Sequence, residues 1–434
     1  MELGIRKSYW NQIKGHGLRY WARVLILGLI GLYIGNSISE VYFPPLRYVS
    51  NIAYQGVSRI KEYIYPSSIG DIVILEITDE EYWKGYLAGR RPLKRDYLAS
   101  LIKAVCEAHP KLVALDFDLR SPVPDRTLIN HLDYKSETET LADTIKESSK
   151  ENCKIVLPKT FECHDGKCIE EPSVLDGYDF DKSRVSSGYI NLHQDIRRVP
   201  ISQKYINGVE IVSFSFAIAA ADNKHSVSAL SGRGDYPYGI FRSPKFFKDN
   251  GAVIKANDVF ESNKNVLKSL VEHKTVIFGG NWRRYAYERG PMVDGHNSPI
   301  GVIPGVYIHA NYVASMLNGQ TIRSVPYLGT IIEVLLIAFI AVLFAIDVKF
   351  YQRVALIAGG SVIIIFVAYF FWMNLGIFIE PVVPIIILIA HWLFDENHTL
   401  RETVHKLSTE AATLKNPPKT MEADQLNIVK EENK

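Results

Sequence analysis

Between Asp71 and Leu119 the sequence changes its hydrophobic period twice. "DIVILEIT" (71–78) is a short, nearly continuous apolar run. "KRDYLASLIKAVCEA" (94–108) spaces its apolar residues three and four apart, and "KLVALDFDL" (111–119) returns to a short apolar run. A strand buried on both faces, an amphipathic helix and a second buried strand satisfy that order. The order repeats through a helix near Glu137 to Ser149 and the strand "CKIVLP" (153–158). Strands separated by crossover helices pair in parallel, so the expected fold class is an α/β domain with a largely parallel sheet.

Further along, strands are expected at "SGYINL" (187–192), "GIFRS" (239–243) and "KTVIFGG" (274–280). Helices are expected through "VEIVSFSFAIAAA" (209–221), "KNVLKSLVEH" (264–273) and "GVYIHANYVASMLNG" (305–319). No internal repeat or low-complexity segment is evident.

Outside this region the pattern differs. Apolar runs at 327–346, 354–373 and 377–394 each have the length of a membrane-crossing helix, and a shorter run covers 21–36. The reading is four transmembrane α-helices, one N-terminal and three C-terminal. Ser37-Ile38-Ser39 would suit cleavage of the first as a signal peptide, but over twenty residues precede it, which favours an uncleaved anchor. Arg6, Lys7, Lys14, Arg19 and Arg23 place residues 1–20 in the cytoplasm. A helical connector (37–70) and the α/β domain (71–325) are then extracytoplasmic, and the tail returns inside. The expected location is the inner membrane, with lipid as a partner. Glu333, Glu380 and His391 lie within about two turns of span ends, where interfacial solvation accounts for them.

A formal net charge of +2 argues against nucleic acid, since no basic stripe with interleaved aromatics accompanies it. All four cysteines fall in the outer segment, where oxidation is permitted. In "FECHDGKCIE" the Asp165-Gly166 turn sets Cys163 and Cys168 on facing strands, which predicts a disulfide. A zinc site using His164 competes, but there is no second cysteine pair of matching spacing. Cys106 and Cys153, in a helix and a strand, read as buried free thiols.

Open parallel sheets receive ligands beyond the carboxyl ends of their strands. Those ends carry Asp79 on the first strand, Asp116 and Asp118 on the second, and Pro158 and Lys159 on the third. The late strand ends at Gly279, Gly280 and Asn281, and Asp294, His296, Asn297 and Ser298 follow it after one loop. A polar pocket in which Asp79, Asp116, Asp118, Asp294 and His296 converge is one reading. Helix caps, loop turns and pairing with Arg90, Arg91 or Arg95 is the other. Gly279-Gly280 is not a phosphate loop, because the glycine fingerprint is incomplete. "GRGD" (232–235) is too short a match to argue adhesion.

Several stretches resemble the second class of CHASE domains, sensory extracellular domains associated with cyclases and histidine kinases. They are "DIVILEITDEEY" with Asp79, "RRPLKRDYLASLI" with Pro92 and Arg95, "PKLVALDFDL" with Asp116, and "GYINLHQDIRRVP" with Asp195, Arg197 and Arg198. "TVIFGGNW" follows, and then "DGHNSPIGVIPGVYIHANYVASMLNG" with Asp294, Pro299, Pro304, Gly305, His309, Ala310 and Asn311. The resemblance covers about residues 40–325, and three transmembrane helices after the sensor are a habit of that family. It implies a domain that detects a ligand, and together with the strand-end reading it leaves Asp79, Arg95, Asp116, Asp118, Asp294 and His296 as the binding candidates. Pro304 suits the first turn of the closing helix, and His309 and Asn311 read as framework residues.

Relatives continue into a cyclase, kinase or other output domain. Here about forty residues follow the last apolar run and carry no such motif, so output from a separate effector is expected. Leu393, Asn397, Leu400, Val404, Leu407, Ala411 and Leu414 keep heptad spacing over 395–416, with Asn397 as the polar register residue. That seam suits self-association or an effector helix. Pro417-Pro418 end it, and 417–434 reads as a disordered tail. The leading function is therefore a membrane-anchored sensor of an unknown ligand, with no cofactor. The alternatives are a membrane scaffold, or an outward-facing metal-dependent hydrolase using Asp116, Asp118, Asp294 and His296. Against the hydrolase, there is no HExxH or GxSxG motif.

Overall fold

The computed structural model describes residues 71–120, 131–164, 167–204, 208–223, 237–285, 289–322 and 350–375, with scattered positions at 51–69 and 385–412. The chain divides into two compact units, one of residues 47–325 with 369–379 and the other of 1–46, 326–368 and 380–434.

The first unit is built on β1 (Ile72–Thr78), α1 (Asp79–Trp83), α2 (Arg95–Cys106), β2 (Leu112–Asp116), α3 (His131–Lys150), β3 (Ile155–His164), β4 (Lys167–Glu171) and β5 (Val185–Tyr189). Then come β6 (Ser202–Lys204), β7 (Glu210–Val212), α4 (Phe214–Asp222), α5 (Pro244–Asp249), β8 (Val253–Lys255), α6 (Ala256–Glu261) and α7 (Lys264–Val271). It closes with β9 (Thr275–Asn281), β10 (Arg283–Tyr285), β11 (Arg289–Met292), β12 (Gly295–Ser298), β13 (Gly301–Pro304) and α8 (Gly305–Leu317). A helix α9 (Phe350–Leu375) lies further on.

The main sheet has seven strands, in the order β4-β3-β2-β9-β1-β8 with β5 also on β3. Every pairing is parallel except β3 with β4. The late strand β9 thus enters between β1 and β2, and those three carry their neighbours on both sides.

Alternation along each strand divides the core. Ile72, Ile74, Leu112, Ala114 and Ile277 face one layer, with α4 and α8. Val73, Leu75, Val113, Leu115, Val276 and Phe278 face the other, with α2, α3, α6 and α7. Covering both faces is what makes the strands apolar throughout rather than alternating.

The largely parallel α/β domain agrees with the sequence, whereas the four membrane-crossing helices do not stand. Among the described residues no helix is long and apolar enough to cross a membrane. The run at 354–373 lies within α9, and near the end of that helix Trp372 is 1% exposed, its ring 5.2 Å from that of Tyr54 in the same compact unit. The side chain there is turned into protein. The spans expected at 21–36, 327–346 and 377–394, with Glu333, Glu380 and His391, lie outside the described residues apart from isolated helical positions.

Other local readings also change. Cys106 and Cys153 are not free thiols: the end of α2 and the approach to β3 bring their Cα atoms to 5.7 Å, and they form a disulfide. Cys163 and Cys168 pair directly across the β3–β4 hairpin and form the second. "GIFRS" is not a strand, because Ser243 caps α5 by accepting a hydrogen bond from Phe246 N. The helix expected from 209 starts at Phe214, capped by Ser213, since the preceding Glu210–Val212 pairs with β6. "SPIGVIP" forms the turn and second strand of the short hairpin β12–β13, with Pro299 and Ile300 in the turn and Gly301 at φ +107°. Pro304 accordingly precedes α8 instead of occupying its first turn.

Two predictions follow from this framework. A Cβ on Gly279 would lie 2.4 Å from Val306 Cβ, so Gly279→Ala must push α8 off β9. Its cost is about 1–3 kcal/mol in urea unfolding of the full chain. The Cys106–Cys153 bridge spans 47 residues of sequence and the Cys163–Cys168 bridge 5. Chain entropy then makes loss of the first worth about 4 kcal/mol and of the second about 2. The double serine variant at 106 and 153 should show the larger fall in unfolding midpoint.

Candidate functional site

The carboxyl ends of β2 and β9 open on a cleft of about 670 Å³. Asp116 is the last residue of β2, in register with Gly279 of β9. Its side chain is 6% exposed, and one oxygen lies 3.7 Å from His309 Nε2, too far for a hydrogen bond. The other oxygen, Oδ2, is buried with no hydrogen-bond partner among the described residues. Burial, and then the neighbouring Asp294, push this carboxyl well above the usual range.

His309 reaches the same place from α8, with Nδ1 2.8 Å from Ser215 Oγ and its ring edge-on to Phe214. Burial lowers its pKa to about 4, more than the charge of Asp294 restores, so the imidazole is neutral at pH 7. Ser215, His309 and Asp116 stand in the order of a hydrolytic triad. Ser215, however, is 0% exposed in the first turn of α4, where no substrate reaches its hydroxyl.

Asp294 sits over the N-terminus of α8. Its Oδ2 accepts from Gly305 N at 3.0 Å, and Oδ1 is 2.8 Å from His296 Nε2. A helix N-terminus favours a carboxylate. A Cβ at Gly305 would lie 2.3 Å from Asp294 Oδ2, so any larger residue there would displace this carboxylate.

Asp118 lines the cleft but is committed to Arg120, whose Nη2 donates to Oδ2 at 2.6 Å while Nη1 donates to Glu171 at 2.6 Å. Burial works upward on Asp118, but the hydrogen bonds and charge of Arg120 outweigh it and hold the carboxyl low. This partner differs from the Arg90, Arg91 or Arg95 expected.

The structure thus brings Asp116, Asp118, Asp294 and His296 to one cleft and leaves Asp79 and Arg95 outside its lining. Asp79 opens α1 and accepts from Arg283 N at 2.7 Å. Arg95 is buried in α2 with its guanidinium 3.7 Å above the Tyr134 ring, and its backbone N donates to Glu137 at 3.1 Å. Asn311 is framework: its amide accepts from Arg242 N at 2.8 Å and donates to Tyr307 O at 2.8 Å. Asp195 accepts from Arg197 Nε at 2.8 Å, so in "GYINLHQDIRRVP" the acid and the first arginine answer each other.

The aromatic wall was not foreseen. Tyr82 and Trp282 stack with centroids 4.4 Å apart at 8°. The Trp282 indole covers Gly280, whose Cβ would lie 2.3 Å from Cζ3. A signal was present, since Thr78 and Asn281 end neighbouring strands in register and each aromatic follows within a few residues. Trp282 Nε1 is also buried without a partner among the described residues. No group of three His, Cys, Asp or Glu side chains among them could hold a metal ion.

An open parallel sheet with a cleft beyond its strand ends is the arrangement in which α/β domains commonly receive ligands. The chain belongs to the CHASE2 domain family, whose model matches residues 26–346. That family is one of extracellular sensor domains in signalling proteins, which assigns this chain to sensing and signal transduction. No curated protein and no solved structure matches the chain.

The buried imidazole sets a pH dependence. The unfolded chain takes up a proton near pH 6.5 and native His309 only near 4, so stability present above 6.5 is lost as pH falls through that window. The contribution is about 3 kcal/mol at 1.36 kcal/mol per unit. Urea unfolding at pH 7 and pH 4.5 should show a smaller acid loss in His309→Gln than in the native chain.

Proposed function

We propose that the protein is a sensor whose cleft beyond β2 and β9 receives a small ligand, and whose output is carried by a separate signalling effector. The observation that carries this reading is the buried, unpartnered Asp116 oxygen in the wall of a cleft large enough for a small molecule, in a chain of the CHASE2 family. A buried polar group without a partner is costly, and a ligand that supplies one recovers that cost. An extracytoplasmic position belongs to the reading, and the two disulfides support it.

The link to an effector, or to a second copy, is assigned to the heptad residues. Leu400, Val404 and Leu407 are exposed on helical backbone, as is Asn397, while Leu414 lies outside the described residues. An apolar seam at that spacing is suited to a partner helix.

The test is crosslinked recovery from cells of three proteins: the full chain, a chain ending at 394, and full-length Trp282→Ala. Recovery of a kinase or cyclase with the full chain and its loss at 394 is expected. The Trp282→Ala complex should persist with an activity that no longer follows the stimulus. If all three recover the same proteins with the same activity, neither the cleft nor the tail belongs to a signalling route.

A further inference from the structure

The ligand's class can be argued from what the cleft leaves unsatisfied, and this deepens the reading just given and rests on it. Asp116 Oδ2 is a buried acceptor with no partner among the described residues, on a side chain that is 6% exposed. Asp294 presents a carboxylate to the same space. Its two contacts, Gly305 N and His296 Nε2, leave a lone pair on each oxygen. Asp118 is excluded as a receptor because Arg120 holds both of its oxygens.

Aromatic rings line the same cleft: Tyr82 and Trp282, stacked on each other, with Phe117 and Phe161. Carboxyl groups and aromatic rings in one cleft are the two features that bind an organic cation, by charge-assisted hydrogen bonds and by attraction to the ring quadrupole. A bare metal ion has no use for the aromatic wall and needs three or more ligands in one place, a grouping not found among the described residues. A free anion would meet Asp116 and Asp294.

We infer that the cleft binds a ligand through a protonated amine, with Asp116 and Asp294 as its receptors and the Tyr82–Trp282 pair as its aromatic wall. One ammonium brings three donors, enough for Asp116 Oδ2 and an oxygen of Asp294 together. Arg91 lines the cleft as well, so a carboxylate on the same ligand would have a cation to meet. The amine is the shared chemistry of simple amines and amino acids, and the experiment separates those sources.

The full chain is titrated with putrescine, ethanolamine, glycine and glutamate, and in parallel with acetate, inorganic phosphate, Mg²⁺ and Ca²⁺. Binding is read by thermal shift and by intrinsic tryptophan fluorescence. At least one amine should bind saturably, and Asp116→Asn and Asp294→Asn should each weaken it about tenfold or more. Asp294 is half-exposed, so its variant is the one least exposed to a folding defect. Glycine or glutamate binding while putrescine and ethanolamine do not assigns an amino acid; the reverse assigns a simple amine. Saturable binding of acetate, phosphate or a divalent ion alone, lost in Trp282→Ala, overturns the amine and leaves the sensor cleft standing. Amine binding untouched by either aspartate variant overturns the inference, as does no binding by any amine.

Discussion

The approach of α8 to β9 at Gly279 and Val306 is the contact on which the rest of the domain depends. β9 arrives last in the sequence yet lies between β1 and β2, so the sheet has no continuous centre until the chain has come back from residue 275. A helix packed on such a strand normally rests on side chains. Here a glycine lets Val306 meet the backbone, and the first turn of α8 is drawn over the strand end. That placement sets Gly305 beneath Asp294 and His309 beside Asp116. The close contact at Gly279 and the cleft are therefore neighbours for one geometric reason.

Burying ionisable groups at that point is costly, and the domain manages each by a different means. Glu76, on β1, is 2% exposed, and it accepts from Tyr307 Oη at 2.7 Å and Asn281 Nδ2 at 3.0 Å while Lys248 Nζ lies 3.1 Å away. Asp195 is answered by Arg197, and Asn311 by the Arg242 backbone. Each of these three side chains has named partners, and a buried polar group so satisfied helps fix one arrangement. Asp116 is handled otherwise: burial favours its protonated form, and its neighbour His309 is held neutral. Among these groups it is the one that keeps an unmatched oxygen, and it is the one at the cleft.

Much of this was legible in the sequence, for reasons that differ element by element. The strands β1, β2 and β9 and the helices α2 and α8 were readable because each is long enough for its period to declare itself. Strand ends then located Asp116, Asp118 and Asp294. What periodicity cannot supply is partner choice across long sequence distance. Nothing near Cys106 points to Cys153, and nothing near Asp118 favours Arg120 over Arg91. Asp79 and Arg95 shared the strand-end and loop setting of the cleft residues, but Asp79 is taken by a backbone amide of β10 and Arg95 is turned into the α2–α3 side. Short hairpins such as β12–β13 were missed because proline and glycine signal a loop and a turn alike. The long apolar run at 354–373 shows the limit of hydropathy: composition fits lipid, yet Trp372 at its end packs on Tyr54.

The same geometry bears on how binding at the cleft would be felt elsewhere. A ligand changes a protein only through unequal affinity for two arrangements, so the question is which element both touches the cleft and leads away from it. α8 does both. Its first residue is bound by Asp294, His309 faces Asp116 one turn on, and after its end Ile322 pairs with Tyr238 immediately before the chain leaves the domain. The Gly279–Val306 contact holds the helix against the strand between those ends. An occupant drawn between Asp116, fixed on β2, and Asp294, fixed to α8, acts across the joint between sheet and helix.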